Sequence, residues 1–542
     1  MGTLYYGDNL DILRRYLKDD TVDLVYLDPP FNSAQNYNAF FQEKDGTAAA
    51  SQIQAFEDTW SWNQESQHAY EELVMQPGKV SEVMQAFHTF LGTNDMMAYL
   101  AMMGPRLVEL RRVLKPTGSL YLHCDPTASH YLKLLCDAVM GPENFRNEII
   151  WKRTTAKSLM TKRLPSNHDL ILAYERGEGA VWNGEVVFRP YDPANLPEKT
   201  ATKYSHRDAR GRVYRLDSLI NPNHDRPNLT YEFLGVRRVW RWTKDRMQAA
   251  YEKGLVVQTK PGTVPQLKRF LDEQRGRPLD DVWDDIPPLN SQASERLGYP
   301  TQKPVALLER IIAMSSPVAG LVLDPFCGCG TTIDAAEKLG RKWIGIDITA
   351  LAISLIKNRL LDTYGKEVEI VTVGEPRSPA DASRLADEDK YQFQWWALGL
   401  VGARPVEQKK GADHGIDGKI LFRDDPKAGK PEQIIIQVKG GKTGVKDVRD
   451  LRGVLDREKA AIGILISLQP PTAPMEAEAA SAGFYTHKSI QQQYPRLQLR
   501  TVKELMDGKG IERPSNVAAL DETFKKAPES RKKLGHQKEF RL

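Results

Sequence analysis

Residues 322–332 read VLDPFCGCGTT, and this stretch decides the fold class. The apolar run that ends at Asp324 predicts a short buried strand, and Gly328 and Gly330 predict a tight turn before a helix that begins at Thr331. Glycine lets a backbone approach a ligand closely, and open α/β sheets bind their ligands at the carboxyl ends of strands. The stretch therefore predicts an α/β fold with a nucleotide-type site after this strand.

The ligand at this turn is predicted to contain an adenosine without phosphates. A dinucleotide-binding turn has a third glycine three residues after the second, but this chain has Ile333 there. The next strand, WIGID, ends at Asp347, where a carboxylate can bind both hydroxyls of a ribose. S-adenosylmethionine contains an adenosine and no phosphate, so it fits best as the cofactor.

A second strand that ends in Asp-Pro lies near the amino terminus, in VYLDPPFNS at residues 25–33. Pro29 and Pro30 cannot continue a hydrogen-bonded ladder, so the strand must stop at Asp28. A rigid turn at the carboxyl end of a strand would hold Asp28 and Phe31 at a cleft. The alternative for these residues alone is a strand-ending turn with a solvated aspartate, since Asp-Pro turns are common.

Length and composition indicate a multidomain globular protein. A chain of 542 residues is too long for one hydrophobic core and suggests about three or four domains. No apolar run approaches the roughly 18 residues of a membrane span, and the first residues lack a leader pattern, so we expect a cytoplasmic protein that does not contact membranes. Four cysteines are too few for a disulfide framework, and they lack zinc-finger spacing.

Positive charge is concentrated in the middle of the chain. The whole chain has a formal charge of +4, but residues 151–283 alone contain 25 Lys and Arg against 16 Asp and Glu. Aromatic residues lie among these basic residues, most densely in RRVWRW at 237–242. Such a mixture suits phosphate contacts and base stacking, which predicts a nucleic-acid surface. The alternative is a solvated basic surface with a few core aromatics.

The chain alternates strand-like and helix-like segments in two stretches on either side of this basic segment. Before it we predict strands at 23–27 and 118–124 and a helix from Met96 to Leu114. After it, a helix at 305–316 and the strands around the glycine turn follow, and a third α/β unit lies beyond a polar stretch. The expected divisions are 1–150 (catalytic part), 151–283 (target-recognition insert), 284–375 (cofactor-binding part), 376–390 (linker), 391–510 (third unit) and 511–542 (basic tail).

The motifs YLDPPFN and LDPFCGCGTT, in this order around a basic insert, resemble the amino-group DNA methyltransferases of the β arrangement. The resemblance extends over about residues 3–373 and implies a Rossmann-like domain that uses S-adenosylmethionine, with the insert recognising double-stranded DNA. It implies a catalytic turn formed by Asp28, Pro29, Pro30 and Phe31. It also implies a cofactor pocket lined by Asp8, Lys303, Asp324, Phe326, Gly328, Gly330, Thr331 and Asp347.

The resemblance also bears on the substrate. Cytosine-N4 members of the family more often carry Ser where Asp28 stands, so adenine N6 is the expected target. Cytosine N4 stays open, as does an amino group of RNA or protein, because the motif reads an amino group rather than DNA. We expect Arg237, Arg238 and Arg241 to contact DNA. A homodimer and the need for a separate subunit are also left open.

The third unit resembles the Mrr-like branch of the restriction-endonuclease fold. The carrying segments are YQFQWWALGLVGARPVEQKKGADHGIDGKI and EQIIIQVKGGKTGVKDVRDLRGVL. The resemblance implies that Asp417, Gln437 and Lys439 hold Mg²⁺ for cleavage of DNA, so that one chain would combine restriction and modification. One departure is Gln394, where the family often has Glu, although Glu407 or Asp413 could substitute. The alternative is a degenerate nuclease fold that is kept for binding DNA.

Overall fold

The structure, a computed structural model, describes residues 2–30, 61–154, 164–189, 191–192, 196–290, 293, 295–297, 301–365, 368–406, 415–423, 431–488, 491–514, 520–521, 523 and 527–528. The chain forms two compact units, one made of Met1–Asn183 with Asp281–Leu542 and the other of Gly184–Asp280. No helix among the described residues is long and apolar enough to cross a membrane.

The amino-terminal part of the first unit alternates strands and helices, as predicted. Its strands are β1 (Gly2–Tyr6), β2 (Val22–Leu27), β3 (Leu114–Cys124), β4 (Phe145–Lys152) and β5 (His168–Glu175). Its helices are α1 (Asn9–Tyr16), α2 (Gln64–Met75), α3 (Lys79–Leu91), α4 (Asp95–Val113) and α5 (Ser129–Met140). All residues of β2 are buried, and α4 coincides with the predicted helix to within one residue at each end.

The second unit, Gly184–Asp280, consists of short strands and two helices among its described residues. These are β6 (Phe188–Arg189), α6 (Glu198–Lys203), β7 (His206–Arg207), β8 (Val213–Ser218), β9 (Thr230–Phe233), β10 (Val236–Val239), α7 (Lys244–Glu252), β11 (Val256–Val257), β12 (Gln266–Phe270) and β13 (Arg277–Pro278). Strands β11, β12, β8 and β7 form its largest sheet. The expected insert of 151–283 is wider than this unit, because β4 and β5 belong to the sheet of the first unit.

After the second unit the chain returns to the first. The elements that follow are β14 (Val282–Trp283), α8 (Val305–Ser315), β15 (Leu321–Asp324), α9 (Thr331–Lys338), β16 (Lys342–Asp347), α10 (Ala350–Tyr364) and β17 (Ile370–Val373). Within the described residues, nine strands form one sheet in the order β14-β4-β5-β3-β2-β15-β16-β1-β17. Strands β3, β2, β15, β16, β1 and β17 run parallel, whereas β5 is antiparallel to both β3 and β4.

The pairing of β2 with β15 decides where the site lies. Leu24 and Val25 pair with Val322 and Leu323, so the two predicted motif strands are neighbours although about 300 residues separate them. Because both strands run in the same direction, Asp28 and Asp324 leave the sheet at the same edge.

The carboxy-terminal part forms a second α/β sheet. Its elements are α11 (Pro379–Glu388), α12 (Lys390–Leu400), β18 (Arg404–Pro405), β19 (Gly418–Arg423), β20 (Glu432–Lys439), α13 (Val445–Glu458), β21 (Ile462–Ser467), α14 (Ala473–Ala480), β22 (Phe484–Thr486), β23 (Gln493–Pro495), β24 (Leu497–Thr501), α15 (Val502–Met506) and β25 (Leu520–Asp521). Helix α11 occupies most of the stretch expected to be a linker, and it buries Ala382 and Ala386 against the core of this part. Most of the expected tail, 511–542, lies outside the described residues.

Candidate active site at the ends of the central strands

The turn after β2 presents the catalytic residues expected from the sequence. The last paired residue of β2 is Leu27, opposite Leu122 of β3, so Asp28 is the first residue beyond the ladder. Pro29 and Pro30 follow without regular structure, as their missing N–H groups require. Phe31, the last residue of the expected catalytic turn, lies outside the described residues.

Lys303 lies against the Asp28 carboxylate. Its Nζ forms an ion pair with Asp28 Oδ2, and both side chains are largely buried. Lys303 stands two residues before helix α8. The family resemblance implies that Lys303 lines the cofactor pocket; in the structure its ammonium group pairs with the carboxylate expected to be catalytic. A charge removed from water in this way is retained only when it is paired.

The glycine turn after β15 is closely packed, and we call it the cradle. Asp324 is 3% exposed, and its Oδ1 accepts a hydrogen bond from the backbone N of Phe326 at 3.0 Å. Gly330 has a φ of +76°, and a Cβ at this position would lie 2.7 Å from Cγ1 of Ile356. Only glycine fits here without strain, which is the reason for the sequence signal. Thr331 then begins α9, as predicted.

Asp347 closes the cradle from the end of β16. Its Oδ2 accepts from the backbone N of Gly328 at 2.9 Å, and its Oδ1 accepts from the backbone N and hydroxyl of Thr349 at 2.9 and 2.8 Å. Burial raises the pKa of Asp347 to about 6. Burial, with added repulsion from Asp28 and Asp347, raises the pKa of Asp324 to about 7. A pocket that holds such carboxylates favours a ligand with hydrogen-bond donors and positive charge.

Asp8 belongs to a cluster of hydrogen-bonded polar side chains that the sequence did not indicate. Its side chain caps α1 by accepting from the backbone N of Leu10, and it also receives Nη2 of Arg106 at 2.6 Å. Nε of Arg106 donates to Asn9, whose Nδ2 in turn donates to the carbonyl oxygen of Pro325 at 2.8 Å. Arg106 and Asn9 thus tie helix α4 to the glycine turn. The only sequence signal for Arg106 is an arginine on an otherwise apolar part of α4.

The basic residues expected to contact DNA lie on the surface of the second unit. Arg237 and Arg238 are exposed on β10, and Arg241 is exposed just beyond it, with its Nε on the carbonyl of Ile220 at 3.1 Å. Trp240, between them in the sequence, is fully buried, and its indole donates to the backbone of Tyr231. This tryptophan is therefore part of the core and cannot stack on a base.

Two of the residues expected to hold magnesium, Asp417 and Gln437, make hydrogen bonds to the protein backbone. Asp417 immediately precedes β19, and its Oδ2 accepts from the backbone N of Val438 at 2.7 Å. Gln437 is 4% exposed, and its amide nitrogen donates to the carbonyl of Gly415, so the side chain points into the protein. No cluster of three His, Cys, Asp or Glu with the arrangement of a metal site occurs among the described residues. Glu407 and Asp413 fall outside that part of the chain.

Comparison with known proteins agrees with this geometry. A family described as DNA methylase, of the N6 and N4 type, matches residues 22–358. A second family, described as NACHT-associated inactive restriction endonuclease 1, matches residues 391–507.

Two similar relatives belong to restriction-modification systems. The Type II methyltransferase M.EcaI of Enterobacter cloacae is 25% identical over 363 residues, which cover 66% of this chain and 69% of the relative. The StyLTI Mod subunit of a Type III restriction-modification enzyme of Salmonella typhimurium is 26% identical over 354 residues, which cover 62% and 50%. The chain thus spans between half and about two thirds of the length of these relatives.

Among solved structures, TTHA0409 from Thermus thermophilus, assigned as a DNA modification methylase and solved with S-adenosyl-L-methionine, is 17% identical to this chain. The match covers 69% of this chain and 99% of that one, with a TM-score of 0.33.

Proposed function

Because the chain belongs to the DNA methylase family, we propose that it transfers a methyl group from S-adenosylmethionine to the N6 amino group of adenine in double-stranded DNA. The observation that carries the proposal is the adjacency of β2 and β15. This pairing brings Asp28 and the buried carboxylates of the glycine turn to the same edge of the sheet. Methyl transfer needs the catalytic turn and the cofactor site to lie side by side in this way.

The chemistry requires a group that redirects the lone pair of the amino nitrogen, which is delocalised into the base. With the base flipped out of the duplex, Asp28 and the carbonyl oxygen of Pro29 would each accept one amino hydrogen and favour a pyramidal nitrogen. S-adenosylmethionine, when bound, supplies a methyl group on a positively charged sulfur. Attack of the amino nitrogen on the methyl carbon would release the sulfur as a neutral thioether, and the methylated nitrogen would then give up one proton to the Asp28 carboxylate or to water.

Lys303 supports this role of Asp28. Its ammonium group engages Oδ2, so an incoming amino group would use Oδ1. A carboxylate that is paired with an ammonium group accepts hydrogen bonds, which suits a partner for an amino group. Asp347 and the glycine turn are the groups that would hold the ribose and the rest of the cofactor.

The second unit is the proposed DNA-binding surface. It contains 19 Lys and Arg against 12 Asp and Glu, and Arg237, Arg238 and Arg241 are exposed on it. Guanidinium groups can bind phosphates in any sequence and can read guanine edges in the major groove.

We further propose that the carboxy-terminal domain does not cleave DNA. The family that it matches is described as inactive, and the buried Gln437 turns its amide nitrogen towards the carbonyl of Gly415. The chain would then methylate DNA, with the domain kept for another role, such as binding DNA.

Digestion of treated nucleic acid followed by mass spectrometry tests the proposal. We expect N6-methyladenine in duplex DNA after incubation with the protein and cofactor, and no methylated product in parallel reactions with RNA or a protein extract. N4-methylcytosine as the only product would show that the target is cytosine N4 rather than adenine N6. Methyl transfer only to RNA or protein would contradict the proposal.

A further inference from the structure

The two ladders of β2 differ in length among the described residues. Strand β15 pairs with β2 at Leu24 and Val25, whereas the ladder with β3 continues to Leu27. In this part of the chain, no strand pairing with β15 reaches the residues next to Asp28. A catalytic carboxylate must be held to within about 0.5 Å of its working position, so other contacts must fix this turn.

A buried row of side chains crosses four neighbouring strands and ends at Tyr26. Tyr26 on β2, His123 on β3, Asp169 on β5 and Trp151 on β4 are each at most 3% exposed. The Tyr26 hydroxyl lies 2.8 Å from His123 Nδ1, and His123 Nε2 lies 3.1 Å from Asp169 Oδ2. The Trp151 ring meets His123 edge-on at 5.8 Å. Tyr26 lies two residues before Asp28, in the last stretch of chain that the β2–β3 ladder holds.

The direction of these hydrogen bonds follows from Asp169. Although burial opposes ionisation, hydrogen bonding and attraction from His123, with attraction from Lys303 and Arg153, hold the pKa of Asp169 below its usual value. An ionised carboxylate only accepts, so His123 Nε2–H donates to it. Where the imidazole is neutral, Nδ1 is then the acceptor and the Tyr26 hydroxyl donates to it.

We propose that Tyr26 and His123 are positioning residues for methyl transfer: the bond from the Tyr26 hydroxyl to His123, anchored on Asp169, fixes the end of β2 and with it Asp28. The inference rests on the proposed function, since it concerns the same reaction. Lys303 holds Asp28 from the side of α8, and the row holds the strand from the side of β3. Asp28 is thus fixed from two directions before a base enters.

Two substitutions at His123 separate its hydrogen bond to Tyr26 from its hydrogen bond to Asp169. In His123→Asn the amide oxygen occupies the place of Nδ1 and can accept from Tyr26, but the contact with Asp169 is lost. In His123→Gln the amide nitrogen occupies the place of Nε2 and can donate to Asp169, but the contact with Tyr26 is lost. Tyr26→Phe removes the same contact from the other side.

Tyr121→Phe is the matched control. Tyr121 pairs with Tyr26 in the β2–β3 ladder, is also buried, and donates or accepts one buried hydrogen bond, to Ser315 at 2.6 Å. Loss of this bond destabilises the same face of the sheet without releasing the end of β2.

The experiment is single-turnover methyl transfer to long unmethylated duplex DNA, with cofactor dissociation constants and melting temperatures measured for every variant. We expect Tyr26→Phe and His123→Gln to slow transfer about 10- to 100-fold with cofactor affinity unchanged, because small misplacements of a reacting group cost rate. His123→Asn should transfer at least threefold faster than His123→Gln, and Tyr121→Phe should lower the melting temperature but keep the wild-type rate.

Two results would overturn the inference: a wild-type rate for Tyr26→Phe, or equal slowing by Tyr121→Phe. Equal rates for the two His123 variants would also contradict it, and that comparison holds even where both are less stable. A wild-type protein that transfers no methyl group would instead refute the proposed function.

Discussion

Asp324→Asn should make the cofactor-free protein more stable at pH 8 while impairing its function. Asp324 is almost fully buried, and burial raises its pKa from 3.8 to about 7. Between these two values the unfolded chain loses the proton and the folded chain keeps it. The free energy of unfolding therefore falls as the pH rises through this window, and the loss is complete above pH 7.

The magnitude follows from the two pKa values. At about 1.4 kcal/mol per pH unit, the wild type loses about 4 kcal/mol at pH 8 but only about 1.6 kcal/mol at pH 5. An asparagine is neutral at both values and can still accept from the backbone N of Phe326. The variant should thus gain about 4 kcal/mol at pH 8 and clearly less at pH 5.

Chemical denaturation of the cofactor-free protein at the two pH values measures this gain, with Asp507→Asn as a control that removes an exposed charge. Cofactor binding by Asp324→Asn should be weakened at both pH values, since the carboxylate lies in the cradle. Destabilisation at both pH values, or a gain of the same size at both, would refute the account of Asp324 as a buried carboxylate retained for function.

The remaining predictions concern the DNA surface, the ion pair and the carboxy-terminal domain. Replacing Arg237, Arg238 and Arg241 together by Gln should weaken DNA binding and reduce the slope of log affinity against log salt by up to about 3. Cofactor affinity should stay unchanged. An unchanged slope would show that other residues contact the DNA. Lys303→Met should slow methyl transfer about 100-fold with less than a threefold change in cofactor affinity. A large loss of cofactor affinity would show that Lys303 binds the cofactor instead. Magnesium with methylated or unmethylated DNA should give no cleavage on gels, for the wild type and for Lys439→Ala alike, whereas cleavage by the wild type alone would establish a nuclease.

The sequence predicted the elements whose signals are local. Strand β2, helix α4 and the turn at Gly330 each follow from apolar periodicity, proline or glycine within a short segment, and the structure confirms them. The partners of the site depend on residues distant in sequence. Lys303 meets Asp28 across 275 positions and Arg106 meets Asp8 across 98, and no local pattern indicates such pairs.

Other differences have equally physical causes. Strand β5 was not separated from the basic insert, because a short apolar run does not reveal which sheet it joins. The polar stretch before the third unit looked like a linker because only Ala382 and Ala386 of α11 are buried. Trp240 looked like a stacking residue because it stands among basic residues in the sequence, and that local pattern does not show that its side chain is buried in the fold.

We propose that Asp28 acts on the amino group of a base in duplex DNA. The most direct test of this proposal is transfer of a labelled methyl group from S-adenosylmethionine to unmethylated duplex DNA by the wild type and by Asp28→Ala, with cofactor binding measured for both. We expect N6-methyladenine from the wild type, loss of transfer in Asp28→Ala by a factor of about 1000 or more, and cofactor affinities within threefold of each other. Transfer at the wild-type rate by Asp28→Ala would contradict it.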